Sequence, residues 1–217
     1  MKLKKLLSAM LLAGAACSSA HAGAVFTEGF DNVAGLAGAG WVRTNLSSPG
    51  GTTAWFQGNP GVFAAQSGAA NSYIGANYLN AAPGGTVSNW LFTPVLSLQS
   101  SLTLDFALRL AGGNAGLVDT VEVYVSTQGS STSVSDFSLL QSFSSGFDTG
   151  WQMQSVSLGS LGGVNAGRLA FRYFVGDTNL DGDYIGIDSV SLNVPEPGSL
   201  ALLSLALAAA AAVRRRA

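Results

Sequence analysis

The chain has 217 residues, with 10 Lys and Arg against 12 Asp and Glu, one Cys and one His. All three lysines, Cys17 and His21 fall within the first 21 residues, so residues 23–195 carry four arginines against eleven acids, a net −7. That balance argues against a nucleic-acid partner, which needs clustered Lys and Arg, and excludes Cys–His, Ser–His–Asp and lysine Schiff-base catalysis there.

The first segment reads as an export signal. Lys2, Lys4 and Lys5 form a basic start, residues 6–16 are apolar, and Ala20-His21-Ala22 offers a small-x-small cleavage site. The expected organisation is a signal peptide over 1–22, one domain over 23–193 and a sorting segment over 194–217. About 170 residues suffice for a single buried core.

Abundant Gly and sparse charge favour short strands and tight turns over helices. Residues 25–31 alternate and predict a first strand. Trp41-Val42-Arg43 resumes after a small-residue loop, and 47–51 breaks again. Residues 52–56, 62–65 and 71–75 are candidate short strands. Residues 81–85, Ala-Ala-Pro-Gly-Gly, predict a turn, and 89–94 a strand ended by proline. The clearest element is 102–110, where every even position is apolar, the period of a half-buried strand. Residues 121–125, 139–143, 151–158, 169–175 and 184–193 follow. No segment has a convincing helical period. The expected fold is all-β, a jelly-roll β-sandwich.

The end of the chain is different in kind. Pro195-Glu196-Pro197 precedes an apolar run over 200–213, which Arg214-Arg215-Arg216 closes. The run is short against the roughly 20 residues of a bilayer core. Its basic terminus predicts a single transmembrane helix with a cytoplasmic C-terminus. The three parts in this order resemble the PEP-CTERM sorting signal of Gram-negative bacteria. The resemblance implies export, transient anchoring in the inner membrane, recognition by an exosortase, cleavage near Pro-Glu-Pro, and delivery to the cell surface or extracellular matrix. An ordinary membrane anchor is the alternative.

The strand order also carries landmarks: Glu28-Gly29-Phe30-Asp31, Gly40-Trp41, Asn89-Trp90-Leu91-Phe92-Thr93-Pro94, Arg172-Tyr173, and Gly182-Asp183-Tyr184-Ile185-Gly186-Ile187-Asp188-Ser189-Val190. Together these resemble choice-of-anchor J domains, related to the cleaved-adhesin and MAM jelly rolls. The resemblance implies a non-catalytic surface or matrix binding domain. It also implies a calcium ion joining the first strand to the last, which points at Glu28, Asp31 and Asp188. Asp188 stands in an apolar strand, where a carboxylate is costly unless paired. An ion pair with Arg172 is the other reading.

Asp177, Asn179, Asp181 and Asp183 alternate around Gly182, like the opening of a calcium loop, with Asp188 at the twelfth position. The flanks read as strands, and a polar hairpin turn explains the same residues. Of the four tryptophans, Trp41 and Trp90 are expected in the core. Trp55 is the candidate for stacking a sugar at the surface. Arg109 and Arg172 are expected to pair with Asp105 or Glu122 across the sheet. The resulting expectation is a calcium-stabilised, non-enzymatic protein contacting exopolysaccharide, biofilm matrix or surface proteins. A dedicated carbohydrate-binding module is the alternative, and a carboxylate glycosidase a weaker one.

Overall fold

In a computed structural model, residues 24–194 are described, apart from 100, 112–115, 160 and 162. The expected signal peptide and sorting helix, including Pro195, Glu196, Pro197 and Arg214–Arg216, lie outside the described residues. Thirteen strands follow in order: β1 (Ala24–Glu28), β2 (Val42–Asn45), β3 (Ser48–Gly50), β4 (Phe56–Gln57), β5 (Ile74–Asn77), β6 (Ala81–Phe92), β7 (Leu96–Leu98), β8 (Leu102–Leu110), β9 (Asp119–Ser126), β10 (Ser138–Ser145), β11 (Gln152–Gly159), β12 (Val164–Val175) and β13 (Tyr184–Asn193). Among the described residues the only helices are three short 3₁₀ turns.

The strands form two antiparallel sheets. Sheet A has the order β11-β8-β13-β5-β4, with β1 also on β13. Sheet B has the order β10-β9-β12-β6-β2, with β3 also on β6 and β7 on β12. The architecture is the expected jelly-roll sandwich. Its core is built from the inward phase of the long strands: Leu104, Phe106 and Leu108 of β8 face Val121 and Val123 of β9 and Leu169 and Phe171 of β12. Phe106 meets Phe171 edge-on at 5.0 Å between ring centres. Full burial of one such side chain is worth about 1.5–3 kcal/mol, so the period of two in β8 is energetically decisive.

Three expectations are corrected. Residues 81–85 are not a terminating turn but part of β6. Ser48 pairs with Thr86 while Gly50 pairs with Ala81, so the Pro-Gly-Gly segment bulges without ending the strand. Residues 62–65 are not a strand; they carry Phe63 onto the outer face of sheet A, stacked on Tyr73 at 5.1 Å. There they lie over Gly186, where an added Cβ would meet Phe63, Trp151 and Tyr73 at 2.8–3.0 Å. Residues 47–51 are not simply a break, since 48–50 pair with β6.

Candidate functional site

The last strand, β13, supplies the centre of sheet A. Along one edge it pairs with β8. Its other edge is shared: β5 covers residues 184–187, and β1 covers 190–193, with Glu28 opposite Val190. Neither neighbour pairs with residues 188 and 189. The chain bulges there, and Ser189 takes a left-handed backbone with φ 51°. The bulge switches the inward phase from Ile185 and Ile187 to Val190 and Leu192, all buried in the core. Asp188 is thereby aimed at the gap between β1 and β5.

Asp188 is fully buried. Its Oδ2 accepts the backbone N–H groups of Gln66 at 2.9 Å and Ser67 at 3.0 Å, and its Oδ1 accepts Ser189 N–H at 2.5 Å. Burial pushes its carboxyl above the usual carboxylate range, opposed by those three donors. The Arg172 pairing is corrected by this geometry. Arg172 lies on sheet B, where Nη1 donates to Glu122 at 3.0 Å and the guanidinium sits 4.3 Å over Phe174. Arg109 pairs with Asp148 at 2.6 Å, not with Asp105 or Glu122.

The end of β1 approaches the same gap. Phe30 is buried against Trp41 and takes a left-handed backbone, φ 53°, with its N–H held by Glu28 Oε1 at 2.7 Å. Gln57 fixes this turn: its Nε2 donates to Phe30 O at 2.8 Å and its Oε1 accepts Val33 N–H at 2.9 Å. A cavity of about 130 Å³ results, lined by Gly29, Asp31, Ser67, Gly68, Asp188 and Ser189. Gly68 has φ +80°, and a Cβ there would come within 3.3 Å of Asp31 Oδ1. Two non-glycine residues in strained backbone next to two carboxylates mark a built feature. The sequence offers no signal for Gln57. The bulge does leave one, because Ile185, Ile187, Val190 and Leu192 are spaced 2, 3, 2.

Asp31 and Asp188 are therefore brought together on one cavity. Glu28 is not on its lining and serves the turn instead. Among the described residues no group of three Asp, Glu, His or Cys side chains is placed to hold a metal. Two carboxylates meet the cavity, hard-oxygen ligands of the type calcium takes but fewer than the roughly six to eight oxygens it requires.

The alternative loop is organised differently. Asp177 Oδ1 accepts Asn179 N–H at 2.8 Å, and Asp177 C=O accepts the N–H groups of Leu180 and Asp181. Asp181 Oδ1 accepts Val118 N–H at 3.0 Å, and Asp183 donates its own N–H to Asp119 at 2.9 Å. These are bonds that hold a turn to its neighbours. Trp55 is corrected too. It is 4% exposed and packed in the main core, so its ring cannot take a sugar from solvent. Trp41 and Trp90 are buried as expected.

Residues 193–216 match the model of the PEP-CTERM protein-sorting motif. The chain carries a PEP-CTERM sorting signal. This motif indicates export and surface sorting for the domain ahead of it. No curated protein matches the PEP-CTERM chain by sequence. Among solved structures, the K1 cleaved adhesin domain of Lys-gingipain from Porphyromonas gingivalis W83 is similar at a TM-score of 0.60 and 23% identity, covering 80% of this chain and 100% of that one. The K3 cleaved adhesin domain of the same protein gives 0.57 and 21%, covering 81% and 100%. The K2 domain gives 0.58 and 19%, covering 78% and 98%. At these identities the likeness establishes the fold: the PEP-CTERM chain carries a cleaved-adhesin-like sandwich, as its landmark residues imply.

Proposed function

We propose that this chain is an exosortase-processed surface or matrix protein of a Gram-negative bacterium, whose sandwich is a non-catalytic adhesion domain for extracellular polysaccharide or surface proteins. The observation that carries the reading is the juxtaposition of a PEP-CTERM motif over 193–216 with a cleaved-adhesin-like domain whose last strand ends at Asn193. The absence of any Lys, His or Cys from residues 24–194 supports binding over chemistry. Calcium held by Asp31 and Asp188 stabilises the domain in this reading. It ties the turn after β1 to β13, and only the folded chain presents both carboxylates together.

Mass spectrometry of surface material from the host, with and without its exosortase, tests the sorting. The expected mature mass ends near Pro195 and depends on the enzyme. Surface material that retains Arg214–Arg216 would replace this reading with a permanent membrane anchor.

A further inference from the structure

We infer that the cleft between β10 and β11, at one edge of the sandwich, is a binding site for a neutral sugar unit. This rests on the adhesion reading above and gives it a location and a ligand class. β10 and β11 are consecutive strands and are the edge strands of sheets B and A. The chain crosses between the sheets over residues 146–151, and a cleft of about 310 Å³ opens beside the crossing. That volume lies at the lower end of small-ligand sites, the size for one or two sugar rings.

The lining chooses the ligand. Its floor is apolar, made by Leu108 and Leu110 of β8 with Phe143 of β10. Its walls are amides and hydroxyls, led by Gln152 and Gln154, which pair with Leu108 and Phe106 and share their inward face. No charged side chain lines it. Arg109, which neighbours Leu108 and Leu110 in sequence, is itself paired, donating twice to Asp148 at 3.0 Å and 2.6 Å. An anionic ligand finds no cation here, and a metal finds no carboxylate. A neutral ring with an apolar face and a rim of hydroxyls matches both surfaces, since amides donate and accept at once.

The polar groups divide into fixed and free. Thr149 is fixed, accepting Leu110 N–H and donating to Gly150 O at 2.8 Å. Ser145 donates to Phe147 O at 2.9 Å. Gln152 commits its amide nitrogen to Thr149 O at 2.7 Å and leaves its oxygen available. The side chain of Gln154 has no hydrogen bond among the described residues and is available to a ligand. Phe147, on the crossing between Ser145 and Thr149, is 74% exposed. Its ring offers a stacking face next to the cleft, where a second sugar of the same chain would lie.

The test is calorimetric titration of the full-length protein with cellotriose, mannotriose, xylotriose and trigalacturonate. Thermal melts check that each variant stays folded. A neutral trisaccharide is expected to bind, with trigalacturonate failing. Gln154→Ala and Gln152→Ala are expected to weaken binding tenfold or more, and Phe147→Ala several-fold. Unchanged affinity in folded Gln154→Ala and Gln152→Ala overturns the cleft while the adhesion reading stands. Preference for trigalacturonate overturns the neutral-ligand assignment. If no saccharide binds while the protein is still sorted to the surface, the cleft assignment fails and a protein partner takes its place.

Discussion

The gap at Asp188 and the turn at 177–183 are both acidic and glycine-containing and do opposite things. Both gather Asp with a glycine in left-handed backbone, Gly68 in one and Gly182 in the other. In the turn, Asp177 and Asp181 spend their oxygens on backbone N–H groups of the turn and of Val118. In the gap, Asp188 also accepts N–H groups, yet it lines a cavity together with Asp31. The difference comes from the strand. A regular hairpin turn closes on itself, whereas a bulge between two partner strands leaves a hole that side chains must fill. Oxygen spacing in a sequence does not distinguish the two; the pairing of β13 does.

The contrast predicts a ranking of effects. Asp188→Ala should be the most damaging change, because it deprives three part-buried backbone donors, the N–H groups of Gln66, Ser67 and Ser189, of their acceptor, at about 1 kcal/mol each. A loss of about 3 kcal/mol corresponds to a melting point lower by about 6–12 °C for a domain of this size. Next comes calcium. Millimolar calcium should raise the melting point of the chelator-treated protein, by about 2.7 kcal/mol of stability at a hundredfold excess over Kd. Asp31→Asn should abolish that rise, and Asp181→Asn with Asp183→Asn should preserve it. The reverse pattern would transfer the metal to the turn, and a melt indifferent to calcium would remove it from both.

A smaller effect concerns pH. Burial holds the Asp188 carboxyl above its ordinary value in the folded chain, so the folded state binds that proton more tightly than the unfolded one. Its contribution to stability is full below the unfolded value and is lost as pH rises through the raised folded value. In chelator, melts across the acidic range should show this decline; calcium, which binds the ionised form, should reverse it. The smallest effect is expected from Asp181→Ala, about 1 kcal/mol for one exposed hydrogen bond. If it matches Asp188→Ala in a denaturant titration, the two regions are not different after all.

Much of the fold was legible because burial on one face imposes a period. Residues 102–110 read as a strand by alternation and 184–193 as the last strand of the chain, and both are strands over those limits. Residues 81–85 misled because Pro and Gly terminate most strands, and only pairing with β3 shows a bulge instead. Trp55 misled because its neighbours are polar and small; the segment turns inward, which composition does not record. At the site, Asp31 and Asp188 were legible as acids out of place. Gln57, Ser67 and Gly68 were not, since their roles come from loops that meet only in three dimensions.

The sorting motif begins at the residue where β13 ends, and β13 is the strand that joins the two halves of sheet A. Order of synthesis therefore matters to this domain. Until residues 184–193 are available, β8 and β11 lack the neighbour that connects them to β5, β4 and β1. Residues 184–193 come last in the domain, and in the sequence only Val194 stands between the final paired residue, Asn193, and Pro195. On the proposed function, an enzyme that reads Pro-Glu-Pro would act two residues beyond the last paired residue of the sheet. Inserting a flexible spacer after Asn193 would uncouple the two events and show whether processing waits for folding.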